Sequence, residues 1–509
     1  SITSTAAGDI TTTAAADSGL DSGLVDFDAV TGINLLGDIV TAGADHATAG
    51  ATASNAGQVD LTTTDGPLIV AAIDASGGNA TGGGASVGGD AAAINLTAGD
   101  LGANDTHDVT IGGVLTTEAG TGTTLGTAAD ILIQADNDLA INAAIDTDTA
   151  NLFLVAGGNV TQSAAITGNG LGLMVTGTTT LNNVANDFTT LAANNGGDTV
   201  YIEANSIIVG SVTVGAMNAT GITTNTGNLL LQMPGDIVVN QAINSTSGHI
   251  TLNAGDDIDL NANVTTAGAG TVYLLASNAA ADAISGVDML STTTVTTGGG
   301  NVRVVADNEG NILLAAINAG SGDVSLVAEG SILDNNAATL NITADALRAW
   351  ADAVVNAAGT LDTGTAGNGL GSIGLADAGN GTPTLNVNAI DTSINTLAAQ
   401  SAQGIYISEA NAIAVAATGA IAVQQVNFNS TTTTRTDTDL SDLTTTAAGP
   451  IKLVNLAGDI TINDGADADG IGISAAGAGD VLVRAAGDII VNANIQSGSG
   501  HITLNAGDD

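Results

Sequence analysis

Apolar and polar residues alternate in short runs along most of this chain. Typical runs are "GDIVVNQAI" from Gly235, "GHITLNA" from Gly248, "GTVYLLA" from Gly270 and "GNVRVVA" from Gly300. The same form returns in "GDITIND" from Gly458, "GDVLVRA" from Gly479 and "GDIIVNA" from Gly487. A period of two predicts β-strands with one face buried. In "GHITLNA", Ile250 and Leu252 should point inward and His249, Thr251 and Asn253 outward.

The strands recur too often and too evenly for an ordinary sandwich. Gly227, Gly248 and Gly270 open successive runs, and Gly449, Gly470, Gly479 and Gly500 do so near the end. Alternate starts are about 21 residues apart, a length holding two or three short strands, which is one coil of a β-solenoid. Stacked coils form parallel sheets in which equivalent positions lie above one another. At ~4.8 Å per coil, ~24 coils would make a rod of ~115 Å.

Longer echoes sit on this period. "TLAANNGGDTVYIEANSIIV" at 190–209 resembles "TLAAQSAQGIYISEANAIAV" at 396–415, and "GHITLNAGDD" occurs at both 248–257 and 500–509. The chain therefore reads as a section of a longer array. We expect irregular coils with Gly-rich loops over 1–130, a first regular unit over 131–257 and a second over 258–509. "SGGNATGGGASVGGD" (76–90) suggests a flexible loop or a turn-dense coil, and 429–449 an inserted loop. One stretch, 343–357, has Leu347, Trp350, Ala351, Val354 and Val355 at helical spacing, so it reads either as a strand-bearing coil or as a helical cap.

Composition sharpens this picture. Hydrophobic residues make 44% of the 509 but aromatic residues only 2%, which suits a thin core of aliphatic side chains. The charge is −46, with five Glu against 46 Asp, a bias toward turns over helices. Only five Lys and Arg are present, which argues against nucleic acid and anionic lipid as partners. No apolar run is long enough for membrane insertion, and the absence of Cys excludes disulfides and thiolate metal sites.

The segments 235–264, 404–415 and 479–509 resemble the coils of filamentous-haemagglutinin-type giant secreted bacterial adhesins. The likeness is clearest over 131–340 and 396–509. It implies an all-β, right-handed parallel β-helix and a location outside the cell or on the bacterial surface.

Candidate chemistry is sparse. "DGADADG" offers Asp464, Asp467 and Asp469 as a calcium loop, although the terminal Glu of a twelve-residue loop is missing. Other acid pairs are Asp146/Asp148, Asp256/Asp257, Asp437/Asp439 and Asp508/Asp509, and these read equally well as solvated turns. The four His are isolated and read as surface strand residues; Trp350 reads as packing at a cap or corner. With scattered cations and no aromatic platforms, a polysaccharide-active enzyme is a minor alternative, and the Thr runs lack the strict rank that ice binding needs. The expected function is a non-catalytic shaft of an adhesin, extracellular filament or matrix fibre. It would self-associate end to end or side by side and possess a cell surface or glycan as a further partner. The alternative is a calcium-stabilised surface-layer component.

Overall fold

The computed structural model describes residues 1–99, 107–277, 286–356, 359–362, 365, 367–376 and 386–508. Asp509 of the last acid pair lies outside them. The described residues contain no α-helix, and their strands gather into two large parallel sheets with two small antiparallel hairpins. This is a parallel β-solenoid. The chain divides into two compact units, 1–227 with 428–430, and 228–427 with 431–509.

In the first unit each coil supplies three short strands, as in Ile131–Ala135, Leu139–Ile141 and Ile145–Asp146. Like positions stack in register. Leu96, Ile133, Leu154 and Leu173 form one inward column, fully buried. Leu68, Val109, Leu139 and Val160 form another. Alternation puts Thr97 and Gln134 on the outer face, where their side chains meet at 3.4 Å. The period-two pattern therefore builds the core directly.

The abundance of Asp has a structural cause. At the coil corners an Asp or Asn oxygen accepts the backbone N–H of a residue one coil later. Asp21 caps Asn55, Asn55 caps Asp90, and Asp90 caps Thr127. Asp108 caps Asp138, Asp138 caps Asn159, and Asn159 caps Thr178. The second unit repeats the device from Asn301 to Asp323 to Ala346. Mixing Asn with Asp along a column also spaces the negative charges.

These corner bonds measure the coils. They join residues 21 apart from Asp130 to Asn151 and from Asn228 to His249. They join residues 34, 35 and 37 apart between Asp21 and Thr127. The extra length there is the Gly-rich material, which forms a turn-dense stack. Gly78 N–H bonds to Ser54 O, Gly89 N–H to Gly78 O and Gly120 N–H to Gly89 O, all at 3.0 Å or less. A Cβ on Gly88 would fall 1.8 Å from Gly120 O, so backbones approach here as no other residue allows.

In the second unit, several strands are buried on both faces. Val272–Ala276, Val302–Ala306 and Val324–Ala328 are buried at every position. Their inward columns hold Val, Leu and Ala. Their outward column reads Thr251, Tyr273, Arg303, Ser325 and Arg348 in successive coils. Thr251, expected to face water, is fully buried. The described part of the 343–357 segment, 343–356, supplies a strand, Ala346–Ala351, and no helix. Leu347 takes its place in the column between Val324 and Leu397, while Arg348 and Trp350 point outward. Pairing on both sides of this strand overrides its helical spacing.

The outer face is covered by the hairpin Ile421–Val426 with Thr432–Asp437, where an inserted loop was expected at 429–449. The insert ends before 443, because Leu443–Thr445 rejoins the coil beside Ala399–Ser401. Val423 packs against Tyr273, Leu275, Val305 and Val327, with Trp350 alongside. Gln424 and Val426 donate backbone N–H groups to the Thr271 and Thr251 hydroxyls. Trp350 thus packs beneath a hairpin strap.

A shorter hairpin in the first unit, Ser211–Val214 with Met217–Thr220, does the same work. Its Val212, Val214 and Ala219 cover Phe153 and Ala192. Gly172 stands between those two in the column. A Cβ there would sit 2.2 Å from the Phe153 ring, so the glycine makes room for it.

Candidate functional site

Of the sequence candidates for a metal loop, Asp467 and Asp469 come together with a third acid that the sequence did not single out. Carboxylate oxygens of Asp442, Asp467 and Asp469 lie within 4.8 Å of one another. Asp442 immediately precedes the strand Leu443–Thr445. The turn 464–470 leads into Ile471–Ala475, which pairs with that strand in the next coil. The cluster therefore spans two neighbouring coils.

The turn is held by its own hydrogen bonds. Asp464 Oδ1 accepts Gly470 N–H at 3.1 Å, and Asp469 Oδ1 accepts Ile471 N–H at 2.8 Å. Ser441 Oγ accepts Ala466 N–H at 3.0 Å from the previous coil. Ala468 is left-handed, with φ 53°, which curls the turn between Asp467 and Asp469. Asp464 therefore braces the turn and stands outside the triad.

Asp467 and Asp469 are exposed, but Asp442 is only 4% exposed. Its Oδ1 is buried and has no hydrogen-bond partner among the described residues, although the Gly465 N–H stabilises the carboxyl's charge. Burial pushes the Asp442 carboxyl up to about 7, and the charges of Asp467, Asp469 and Asp464 add to the rise.

Three of the other acid pairs, Asp146/Asp148, Asp256/Asp257 and Asp437/Asp439, contribute bonds to the scaffold. Asp146 Oδ1 caps Asp148 N–H, and Asp148 Oδ2 accepts Ala119 N–H. Asp236 lies with Asp256 and Asp257, but Asp236 caps Asp257 N–H and Asp257 caps Gly286 N–H at 2.6 Å. Asp439 Oδ1 accepts Gly419 N–H. Asp437 is buried against Arg303.

That pair anchors the long hairpin. Arg303 grips Asp437 with two bonds, and Ser325 Oγ donates to the same carboxylate at 2.7 Å. Arg348 Nε donates to Thr438 O at 3.0 Å. Arg303 lies over the Tyr273 ring and Arg348 over Trp350, at 5.2 and 5.5 Å from the centroids. Burial pushes the Asp437 carboxyl up, but the hydrogen bonds and charge of Arg303, with the charge of Arg348, bring it below the usual value. The sequence showed these cations as scattered; coil stacking brings two of the five together.

Two buried glutamates mark the internal echo. Glu203 accepts the Tyr201 hydroxyl and the N–H groups of Phe188 and Ala204. Glu409, its counterpart, accepts Thr392 Oγ1 at 2.6 Å and Asn411 N–H at 2.9 Å. Burial raises each carboxyl to about 7 despite these donors.

Each His meets an acid or hydroxyl of another coil: His46 with Asp17, His249 with Thr271 and His501 with Asp480. His107 departs from the expected surface position. It is 9% exposed and lies between Asp65 and Asp136. A shallow groove of about 350 Å³ runs over Thr110, Ala140, Thr161 and Thr180, edged by Asp108 and Asp138. Both acids are already corner caps. No protein family, curated protein or solved structure matches this chain.

Proposed function

We propose that this chain is a structural shaft of a secreted or bacterial cell-surface fibrous protein, of the adhesin, filament or matrix-fibre kind. The observation that carries the reading is the dedication of polar groups to stacking. Corner Asp and Asn oxygens close one coil onto the next in both units, so the acids that a catalyst would need are holding the backbone. Inward columns such as Leu96, Ile133, Leu154 and Leu173 leave no space for a ligand. A scaffold in which nearly every strand hydrogen bonds along the stack suits bearing load and resisting proteases. Outward Thr and Asn ladders would let copies associate side by side, and a glycan or a neighbouring cell surface would be met on the same flanks.

The test is imaging with limited proteolysis of the purified chain. Elongated particles or filaments whose strand segments survive protease support the shaft. Separate rounded modules cleaved between coils overturn it.

A second reading, a calcium-stabilised surface-layer component, is favoured specifically by the buried Asp442 carboxylate beside Asp467 and Asp469. Polysaccharide cleavage has less support. The groove over Thr161 has no Arg, Lys or aromatic side chain in its lining, and turnover of acidic glycans above blank would reverse this ranking.

A further inference from the structure

We propose that Asp442, Asp467 and Asp469 form a calcium site that fastens the 464–470 turn to the preceding coil. The inference goes beyond the shaft reading and does not depend on it.

The geometry suits a large hard cation. Three carboxylate oxygens within 4.8 Å of one another are near enough to converge on one Ca²⁺ with a small inward shift, since its oxygen ligands stand at about 2.3–2.6 Å. Magnesium demands near-ideal octahedral geometry at about 2.0–2.1 Å and keeps several waters, so three protein carboxylates on a turn suit the more tolerant calcium better. The turn is pre-shaped: Asp464 and Asp469 each accept a backbone N–H inside it, and Ser441 fixes it to the neighbouring coil.

The independent observation is Asp442. A carboxylate 4% exposed, with Oδ1 lacking any donor, must either take up a proton or meet a positive charge, and only a cation also relieves the two charges facing it. Asp437 has Arg303, and Glu409 has Thr392 and Asn411; Asp391 Oδ2 also lacks a donor, but among the described residues no pair of carboxylates gathers beside it. Asp442 instead faces two more carboxylates. A divalent cation satisfies all three at once, with water and turn carbonyls completing its shell.

The site also differs from the Asp236, Asp256 and Asp257 group. There, Asp236 and Asp257 spend an oxygen on the corner ladder, and none of the three is buried.

The experiment is equilibrium dialysis of the whole chain against radioactive calcium in 150 mM NaCl, which screens diffuse attraction to the −46 charge. The expected result is one site tighter than the background, not displaced by equimolar magnesium. D467N/D469N changes only exposed side chains and should weaken that site about tenfold or more. D442N should do the same. D26N/D28N, removing two exposed charges elsewhere, should leave it intact. A wild-type titration without a distinct tight site overturns the proposal. So does a D467N/D469N titration that matches wild type, or an equal loss in D26N/D28N. Because the double variant alters exposed groups, it decides the matter even if D442N misfolds.

Discussion

Arg303 holds both carboxylate oxygens of Asp437, with Nε 2.8 Å from Oδ2 and Nη2 2.7 Å from Oδ1, across 134 residues of sequence. Each side chain is 2% exposed. The pair locks the long hairpin onto the outer face of the coils. Removing one partner leaves a buried charge alone, which costs about 3–5 kcal/mol. R303M and D437N should therefore each lower the denaturant midpoint markedly, and protease should begin to cut between Thr431 and Arg435. The double variant R303M/D437N should lose less than the sum of the single changes. Additive losses would mean that the two side chains are not coupled.

Glu203 and Glu409 make stability depend on pH. Folding raises both carboxyls from 4.5 to about 7. The folded chain thus binds their protons more tightly than the unfolded chain. Their stabilising contribution is complete below about 4.5 and is lost as pH rises through about 7. Asp437 has the opposite sign: its carboxyl is lowered, so its contribution holds above 3.8 and fades as pH falls below that value. Chemical unfolding should show greater stability at pH 5 than at pH 8, by on the order of 1–3 kcal/mol per glutamate. E203Q and E409Q should each reduce that difference, whereas D26N should not.

The inward column predicts a steep contrast along one strand. I133A removes a fully buried side chain between Leu96 and Leu154 and should cost about 2–5 kcal/mol. Q134A, next along on the outer face, should stay within about 0.5 kcal/mol. Equal effects at the two positions, measured by urea unfolding, would contradict the assignment of faces.

The glycine stack predicts another contrast. G88A would drive a methyl into Gly120 O, 1.8 Å away, so neighbouring coils must separate. G215A meets nothing within 4 Å, and its only handicap is a φ of 57°, worth about 1 kcal/mol. Thermal unfolding should therefore show G88A as clearly the more damaging change.

Much of this architecture was legible in the sequence. Alternation placed Ile250 and Leu252 inside, and the spacing of glycine-led strands pointed to stacked coils. The echo of 190–209 in 396–415 placed Glu203 and Glu409 at matching positions. What escaped were relations between coils. The corner role of Asp requires knowing which N–H lies one coil later. The contact of Arg303 with Asp437 depends on where a hairpin folds back. A hint was present: "VYLLA" and "VRVVA" lack the polar alternation of a strand wetted on one side, as a strand covered on both faces should. Asp442 carried no signal, because one more Asp among 46 stands out only once Asp467 and Asp469 lie beside it.

The two hairpins share an address in the duplicated segment. One leaves after Ile207–Val209 and returns at Ile222–Thr224; the other leaves after Ile413–Val415 and returns at Leu443–Thr445. In each case a single strand of the previous coil, Asp187–Asn195 or Thr396–Ser401, receives the departing strand on its first half and the returning strand on its second. Chain of any length can be spliced at that seam while the winding on either side continues unchanged. The molecule thereby contains a natural grafting port, open to evolution or to an engineer wishing to mount a foreign module on its side.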